Sequence, residues 1–237
     1  MIHKAILSIF LSTINCITSA AITIDGTRII FHSGAKSANV QLRNTTNQPA
    51  LVQTWIDNGN EMEIPKGDKI PFILNPSLTR VEAQKGQIIR IIPTNISSLA
   101  RDRESLFWFN MLDIPPENEK LKNADKIKFN VRTRIKLYYR PTDLKISPIQ
   151  AYTEIKFNLI SENEIIINNP TPYFITLLSL NQENKFISFL DKAIILEPFQ
   201  NKKINFNNPI NEFERISYSV MNDIGTAQNF TTTLSIN

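Results

Sequence analysis

The stretch from residue 127 to residue 140 constrains the fold more than any other part of the chain. It reads IKFNVRTRIKLYYR, with mostly apolar side chains at the odd positions and mostly basic or polar ones at the even positions. Such alternation is typical of a β-strand with one apolar and one basic face. A strand of this length, at about 3.3 Å per residue, would reach roughly 46 Å, whereas strands usually span roughly 17 to 20 Å. Either the strand breaks, or its apolar row extends past its own domain.

The N-terminus predicts a cleaved secretory signal over residues 1–20. Lys4 precedes an apolar run from Ala5 to Ile14, and small residues follow. The run is too short to cross a membrane, and small residues are what signal peptidase requires. We therefore expect an exported protein whose mature chain starts at Ala21.

Composition argues against an enzyme. The sequence has one cysteine and two histidines, and Cys16 and His3 both lie within the predicted signal. His32 alone remains, which disfavours a Ser/His/Asp or Cys/His catalytic arrangement and a zinc site. None of the six glycines forms a phosphate-binding loop. We expect no cofactor and no metal, and a net charge of +4 is too small to indicate nucleic acid.

The rest of the chain consists of short apolar runs separated by turns that are rich in Asn, Gly, Asp and Pro and recur about every ten residues. This spacing is typical of β-sandwiches. The segment PTDLKISP at 141–148 resembles a hinge, and a second set of short runs follows it. The sequence therefore predicts an all-β chain of two immunoglobulin-like β-sandwich domains, residues 21–144 and 145–237.

Three local expectations accompany this fold. Trp55 is placed where a core tryptophan of an immunoglobulin-like sandwich would lie. An aromatic strand is predicted from Ser105 to Leu112, and a polar connection from Asp113 to Asn123 leads to the long strand. His32 and Trp108 have no predicted role beyond packing or surface.

Several motifs are spread over most of the predicted mature chain. The most specific is LARDRESLFWFNM at Leu99 to Met111, followed by IPP and then by IKLYYRP at Ile135 to Pro141. DGTRIIF near the predicted mature start and NNPTPYFIT at Asn168 to Thr176 accompany them. Together they resemble the motifs of the periplasmic pilus-assembly chaperones, the PapD-like family, and a signature of this length is far more specific than a single short motif.

The resemblance implies a boomerang arrangement of the two domains and a partner. Such chaperones bind one pilus or fimbrial subunit in the periplasm and deliver it to an outer-membrane usher. The subunit is a sandwich without its last strand, and the chaperone's long strand fills the groove by strand addition at a sheet edge. Ile127, Phe129 and Val131 match the donor side chains that enter this groove.

Two further sets of residues are implied by the same matches. Arg28 and Lys136 correspond to the family's anchor for the subunit's C-terminal carboxylate, to which both can make charge-assisted hydrogen bonds. Glu104, Arg140 and Asp223 correspond to an ion-pair network across the domain interface. Taken alone, each of these residues would be an ordinary surface charge.

The connection before the long strand is short, which is similar to the short-loop branch of the family. An exposed apolar edge should be protected when no subunit is bound, so we expect a self-capping homodimer or disorder of residues 113–126. Two other classes of protein have different requirements. A fimbrial subunit or adhesin on the same fold would carry its own donor extension, and a carbohydrate-active β-sandwich would need a carboxylate-lined cleft.

Overall fold

The computed structural model describes residues 22–62, 70–114, 130–182, 188–207 and 215–236. Ile127 and Phe129, the predicted signal and most of the 113–126 connection lie outside these ranges. The strands of the first domain are β1 (Ile22–Ile24), β2 (Arg28–His32), β3 (Ala38–Asn44), β4 (Ala50–Asp57), β5 (Phe72–Asn75), β6 (Leu78–Val81), β7 (Gly86–Pro93), β8 (Ser105–Ile114) and β9 (Val131–Arg140). One 3-10 turn, Ile96–Ser98, precedes β8.

The first domain is a sandwich of two sheets with strand orders β1-β3-β7-β5 and β2-β9-β8-β4-β6. The neighbouring strands are antiparallel, except that β2 runs parallel to β9. Alternate residues of each strand point inward, as the sequence alternation requires. The fully buried side chains of this core include Phe31, Leu42, Ile89, Phe109 and Leu137.

The second domain is a sandwich with strand orders β14-β11-β10-β17 and β13-β12-β15-β16. Its strands are β10 (Lys156–Ser161), β11 (Glu164–Asn169), β12 (Ile175–Gln182), β13 (Ile194–Leu196), β14 (Gln200–Asn205), β15 (Arg215–Met221), β16 (Ala227–Thr233) and β17 (Ser235–Ile236). Phe157, Ile165, Ile167, Ile175 and Leu177 lie at its centre. The prediction of two all-β sandwiches is confirmed.

Two local features of the fold were not visible in the sequence pattern. Residues 22–32 contribute to both sheets, because the chain leaves the first sheet after Ile24 and enters the second at Arg28. Gly26, at φ 110°, supplies the backbone conformation for this change of sheet. A short helix, α1 (Pro148–Thr153), precedes β10; Pro148 occupies its first turn and the Ser147 hydroxyl caps it by accepting from Gln150 N.

Asp113 is also placed differently from the prediction. It belongs to β8 rather than to the polar connection, and its side chain is only 4% exposed. Asp113 points inward because it lies on the same alternating row as Phe109 and Met111. β8 therefore continues to Ile114, past the predicted end of the strand at Leu112.

The two halves of β9 have different neighbours. Residues 136–140 pair with β2, and residues 136–139 also pair with β8 on the other side. Residues 131–135 pair with β8 alone in the described part of the chain. The second edge of residues 131–135 is therefore open there. Leu137 is fully buried in the sandwich, but Val131 is 44% exposed.

Candidate functional site

Arg28 and Lys136 lie side by side where β2 meets β9. The parallel register pairs these two residues directly. Their strand neighbours Ile29 and Leu137 face the core, so both cations project from the opposite face of the sheet. There they reach the second domain: Arg28 Nη1 donates to the Met221 carbonyl at 3.3 Å and Lys136 Nζ donates to Thr176 Oγ1 at 2.9 Å.

The surroundings of this pair favour an anion. Burial, together with the charge of Arg28, lowers the pKa of Lys136 to about 8. Arg28 Nε is buried and has no hydrogen-bond partner, and within the described ranges neither cation forms an ion pair. Two like charges with a free donor are stabilised by a negative group placed between them. A carboxylate has the right charge and can accept from both.

The open edge begins beside this pair. Residues 131–135 present unpaired backbone groups on one side in the described structure, and Val131 adds an exposed apolar side chain. An edge of this kind is a template for another strand. Of the three predicted donor side chains only Val131 lies within the described residues.

Glu104, Arg140 and Asp223 are brought together at the domain interface. Arg140 Nε donates to Glu104 Oε1 at 2.6 Å, and its two terminal nitrogens donate to Asp223 at 2.6 and 2.9 Å. Although burial opposes its charge, the two carboxylates raise the pKa of Arg140. Glu104 also accepts from Phe174 N at 2.9 Å, and its own backbone N donates to the Pro172 carbonyl. These bonds connect β8 and β9 to the segment that leads into β12.

The turn that carries Asp223 also touches the first domain. Gly225, at φ 84°, leaves so little room that a Cβ there would clash with the Thr27 hydroxyl. The carbonyl that accepts the hydrogen bond from Arg28 belongs to Met221, just before this turn. The turn therefore fixes one wall of the cleft in which the two cations lie.

Sequence reasoning missed a second charged cluster on the same face. Asp57 at the end of β4 is fully buried and binds Arg134 of β9 and Asn110 of β8. Trp108, to which no role was assigned, lies 4.0 Å beneath the Arg134 guanidinium and 5.8 Å from Lys136 Nζ. The alternation offered a signal, because these residues occupy outward positions of neighbouring strands.

The prediction for Trp55 was wrong in its location. The ring is partly buried on the outer face of the sheet, outside the hydrophobic core, with the Arg132 guanidinium 5.1 Å above it. Residues of β4 alternate, and the inward positions belong to Val52, Thr54 and Ile56. A tryptophan at position 55 must therefore face outward.

Two classes of site find no support in the described residues. These ranges contain no group of three or more His, Cys, Asp or Glu side chains placed to hold a metal ion. No helix within them combines the length and apolar character that a membrane span requires.

The fold and the cleft define a two-domain, all-β protein in which, among the described residues, a strand edge without a neighbour lies beside a pair of cations. Two family models match it: the PapD N-terminal domain of pili and flagellar-assembly chaperones over residues 21–145, and the C-terminal domain of the PapD pili assembly chaperone over residues 150–232. The chain belongs to the PapD family of pilus-assembly chaperones.

Known relatives agree with this assignment. The chain is 38% identical over 215 residues to the probable fimbrial chaperone YadV of Escherichia coli K12, covering 88% of this chain and 87% of that one. It is 41% identical over 170 residues, 70% of each chain, to the chaperone protein HifB of Haemophilus influenzae.

Solved structures have the same fold. The crystal structure of the YadV chaperone superposes with a TM-score of 0.76 and 34% identity, covering 91% of this chain and 100% of that one. A chain in the structure of the Salmonella enterica SafA pilin in complex with the SafB chaperone gives a TM-score of 0.77 at 27% identity, covering 91% and 97%.

Proposed function

We propose that this protein is a periplasmic chaperone that binds one pilus or fimbrial subunit by donor-strand complementation and delivers it to an outer-membrane usher. The observation that carries the proposal is the open edge of β9 directly beside Arg28 and Lys136. A strand edge supplies backbone pairing, and the cations supply a fixed end point. Membership in the PapD family and the SafA–SafB complex support the same function.

Binding combines two contributions. Val131, with Ile127 and Phe129 outside the described residues, would enter the subunit's groove, and each fully buried side chain of this size contributes about 1.5 to 3 kcal/mol. Each added main-chain hydrogen bond contributes about 0.5 to 1.5 kcal/mol. Arg28 and Lys136 would bind the subunit's C-terminal carboxylate and so set where pairing begins.

The Glu104–Arg140–Asp223 network holds the two domains in the orientation that this site needs. Arg28 and Lys136 each contact the second domain, so the shape of the cleft depends on how that domain is placed. Arg140 compensates the negative charge of two carboxylates, Glu104 and Asp223, where an isolated pair would compensate only one. The protein would reach the periplasm by export through the inner membrane, with cleavage of residues 1–20.

The test is co-expression with the fibre subunits encoded nearby, followed by purification of the tagged chaperone from the periplasm. We expect a stable one-to-one complex for the wild type and its loss in Arg28→Ala/Lys136→Ala. Arg90→Ala/Lys156→Ala, which removes the same charges from exposed positions of other strands, should still bind. Circular dichroism checks that each variant is folded, and mass spectrometry of the purified chain gives its first residue.

The outcomes separate the parts of the proposal. Absence of any subunit with the wild type contradicts the chaperone function itself. Equal binding by a folded Arg28→Ala/Lys136→Ala variant contradicts the carboxylate anchor alone, and a first residue other than Ala21 corrects only the cleavage site.

A further inference from the structure

Asp57 is a fully buried carboxylate surrounded by hydrogen-bond donors from three parts of the chain. Asn110 Nδ2 donates to it at 2.7 Å and Gly59 N at 2.7 Å. Arg134 donates through Nη2 at 2.6 Å and Nε at 3.2 Å. Burial alone would raise the pKa of Asp57, but these hydrogen bonds hold it below its ordinary value. Asp57 is therefore a charged, satisfied acceptor on the outer face of the sheet.

The cations that this cluster neutralises both belong to the open half of β9. Arg132 donates through Nε and Nη2 to Asn110 Oδ1 at 3.0 and 2.7 Å, and its Nη2 lies 3.7 Å from Asp57 Oδ2. Glu61, in the turn after β4, binds both arginines: its carbonyl accepts from Arg132 Nη1 and its carboxylate from Arg134 Nη1. Each guanidinium also lies over a tryptophan ring.

Arg132, Arg134 and Lys136 form one row, since they alternate along a single strand face. The carboxylates of Asp57 and Glu61 pair with the first two, whereas Lys136 has no ion pair within the described ranges. Arg134 is 14% exposed at its side chain, and each of its three guanidinium nitrogens donates to a carboxylate of this cluster. Along this row the charge left for a ligand is therefore concentrated at Lys136.

This arrangement matters for the register of a bound strand. A slip by one residue turns apolar side chains out of the groove and is excluded by the alternation. A slip by two residues keeps every side chain on its own face, so the alternation does not exclude it. The alternative anchor for such a slip would be Arg134, about 6.6 Å from Lys136 along the strand.

We propose that Asp57 is a positioning residue that fixes the register of the captured subunit. It holds Arg134, and with Asn110 also Arg132, against the sheet, so that the subunit's C-terminal carboxylate is bound at Arg28 and Lys136 and not two residues earlier. The inference rests on the proposed strand-addition function and assigns Asp57 a part in its specificity.

The experiment uses disulfide trapping, since the predicted mature chain contains no cysteine. A Thr133→Cys chaperone is co-expressed with the subunit identified above, in which single cysteines are placed along the C-terminal strand. A disulfide needs Cα atoms about 4.4 to 6.8 Å apart, so a shift of two residues changes which position is trapped. Wild-type Asp57 should give one trapped position.

Asp57→Asn, which is close in size but neutral, should add a second trapped position two residues away. The ratio of shifted to unshifted product should rise about tenfold or more, because a charge-assisted anchor becomes available at Arg134. Asp57→Asn/Arg134→Gln removes that alternative anchor and should restore the single position. A purely structural role of Asp57 would not be rescued in this way.

Three results would overturn the proposal. One is a single trapped position in folded Asp57→Asn, and another is a shifted position that persists in the double variant. If Asp57→Asn does not accumulate as folded protein, Glu61→Gln is used, since this exposed carboxylate binds the same guanidinium. Glu61→Gln should give a smaller fraction of shifted product than is expected for Asp57→Asn. The third overturning result is the absence of any shifted product in Glu61→Gln. Failure of the wild type to bind a subunit would instead contradict the proposed function.

Discussion

The two halves of β9 show how one strand can serve both its own domain and a partner. Residues 136–140 lie between β2 and β8, and they bury Leu137, Tyr138 and Tyr139. Residues 131–135 continue the same alternation but keep one edge open in the described structure, with Val131 44% exposed. The two halves differ in their second neighbour. β2 begins at Arg28, opposite Lys136, and runs parallel to β9, so it lies beside residues 136–140 only.

The charges of the two halves are compensated by different neighbours. Arg140 is bound by Glu104 and Asp223, and Arg132 and Arg134 are held by the Asp57 cluster. Lys136, between them, has no ion pair within the described ranges. Because the arginines at both ends of β9 are paired with carboxylates, the uncompensated positive charge of the strand is that of Lys136 at its centre, where the cleft lies.

The largest expected effect is at the paired end. Arg140→Ala would leave Glu104, whose side chain is 1% exposed, as a buried charge without its partner. We expect a loss of about 3 to 5 kcal/mol in the free energy of unfolding, measured by urea denaturation. The control, Arg43→Ala, breaks an exposed pair with Asp25 and should cost less than about 1 kcal/mol. Equal losses for the two variants would show that the interface network is no stronger than a surface pair.

The next comparison truncates one apolar side chain in each half. Leu137→Ala should lower the free energy of unfolding by about 2 to 5 kcal/mol, because Leu137 is fully buried. Val131→Ala should change the stability of the free chaperone by no more than about 0.5 kcal/mol. It should weaken subunit binding by roughly tenfold, because two methyl groups no longer enter the groove. If Leu137→Ala and Val131→Ala destabilised the free protein to a similar extent, Val131 would be packed in the free protein and would not belong to an open edge.

The pH dependence of binding tests the centre of the strand. In the free protein, burial and Arg28 lower the pKa of Lys136 to about 8, and a bound carboxylate would raise it again. Binding then takes up a proton above pH 8, so affinity should fall as pH rises, by at most about tenfold per pH unit. Calorimetry in buffers of different ionisation enthalpy measures the proton uptake. Lys136→Met should remove this dependence, and a dependence that survives in that variant has another source.

The smallest effect concerns Asp113, which lies opposite Val131 in the ladder. Burial raises the pKa of Asp113, because one backbone hydrogen bond from Ile22 offsets only part of the cost and Oδ1 has no partner among the described residues. The contribution of such a carboxyl to stability decreases as pH rises above about 3.9, its ordinary value in an unfolded chain. Asp113→Asn should therefore be more stable than the wild type by about 1 kcal/mol at pH 7, with a smaller difference near pH 4. Asp143→Asn, at an exposed site, should show neither effect. A less stable Asp113→Asn would mean that contacts beyond the Ile22 hydrogen bond stabilise the charged carboxylate.

Much of the fold follows from sequence alternation, because a period of two decides which side chains are inward. It predicted β9 and the two sandwiches, and it also explains why Trp55 had to face outward. The change of sheets between Ile24 and Arg28 could not be predicted, because alternation does not reveal where a chain leaves one sheet for another. The helix at Pro148–Thr153 was missed because its few residues also suit a strand, and its Ser147 cap is a local signal.

The sequence indicated candidate site residues but not their contacts. Motif resemblance indicated Arg28, Lys136 and the Glu104 network, and the structure places each set together. Their partners in the second domain, Thr176 and Met221, carry no sequence signal, since any hydroxyl or carbonyl could serve. The Asp57 cluster was missed for a related reason, because each pair depends on strand order across the sheet.

The parallel pairing of β2 with β9 has a consequence for the order of folding. These strands are separated by most of the first domain's sequence, so their contact is among the last that a growing or exported chain can make. Arg28 and Lys136 become neighbours only through that contact. A partly folded chaperone would thus have an edge but no anchor, and the ability to capture a subunit would arise in the same step that completes the domain.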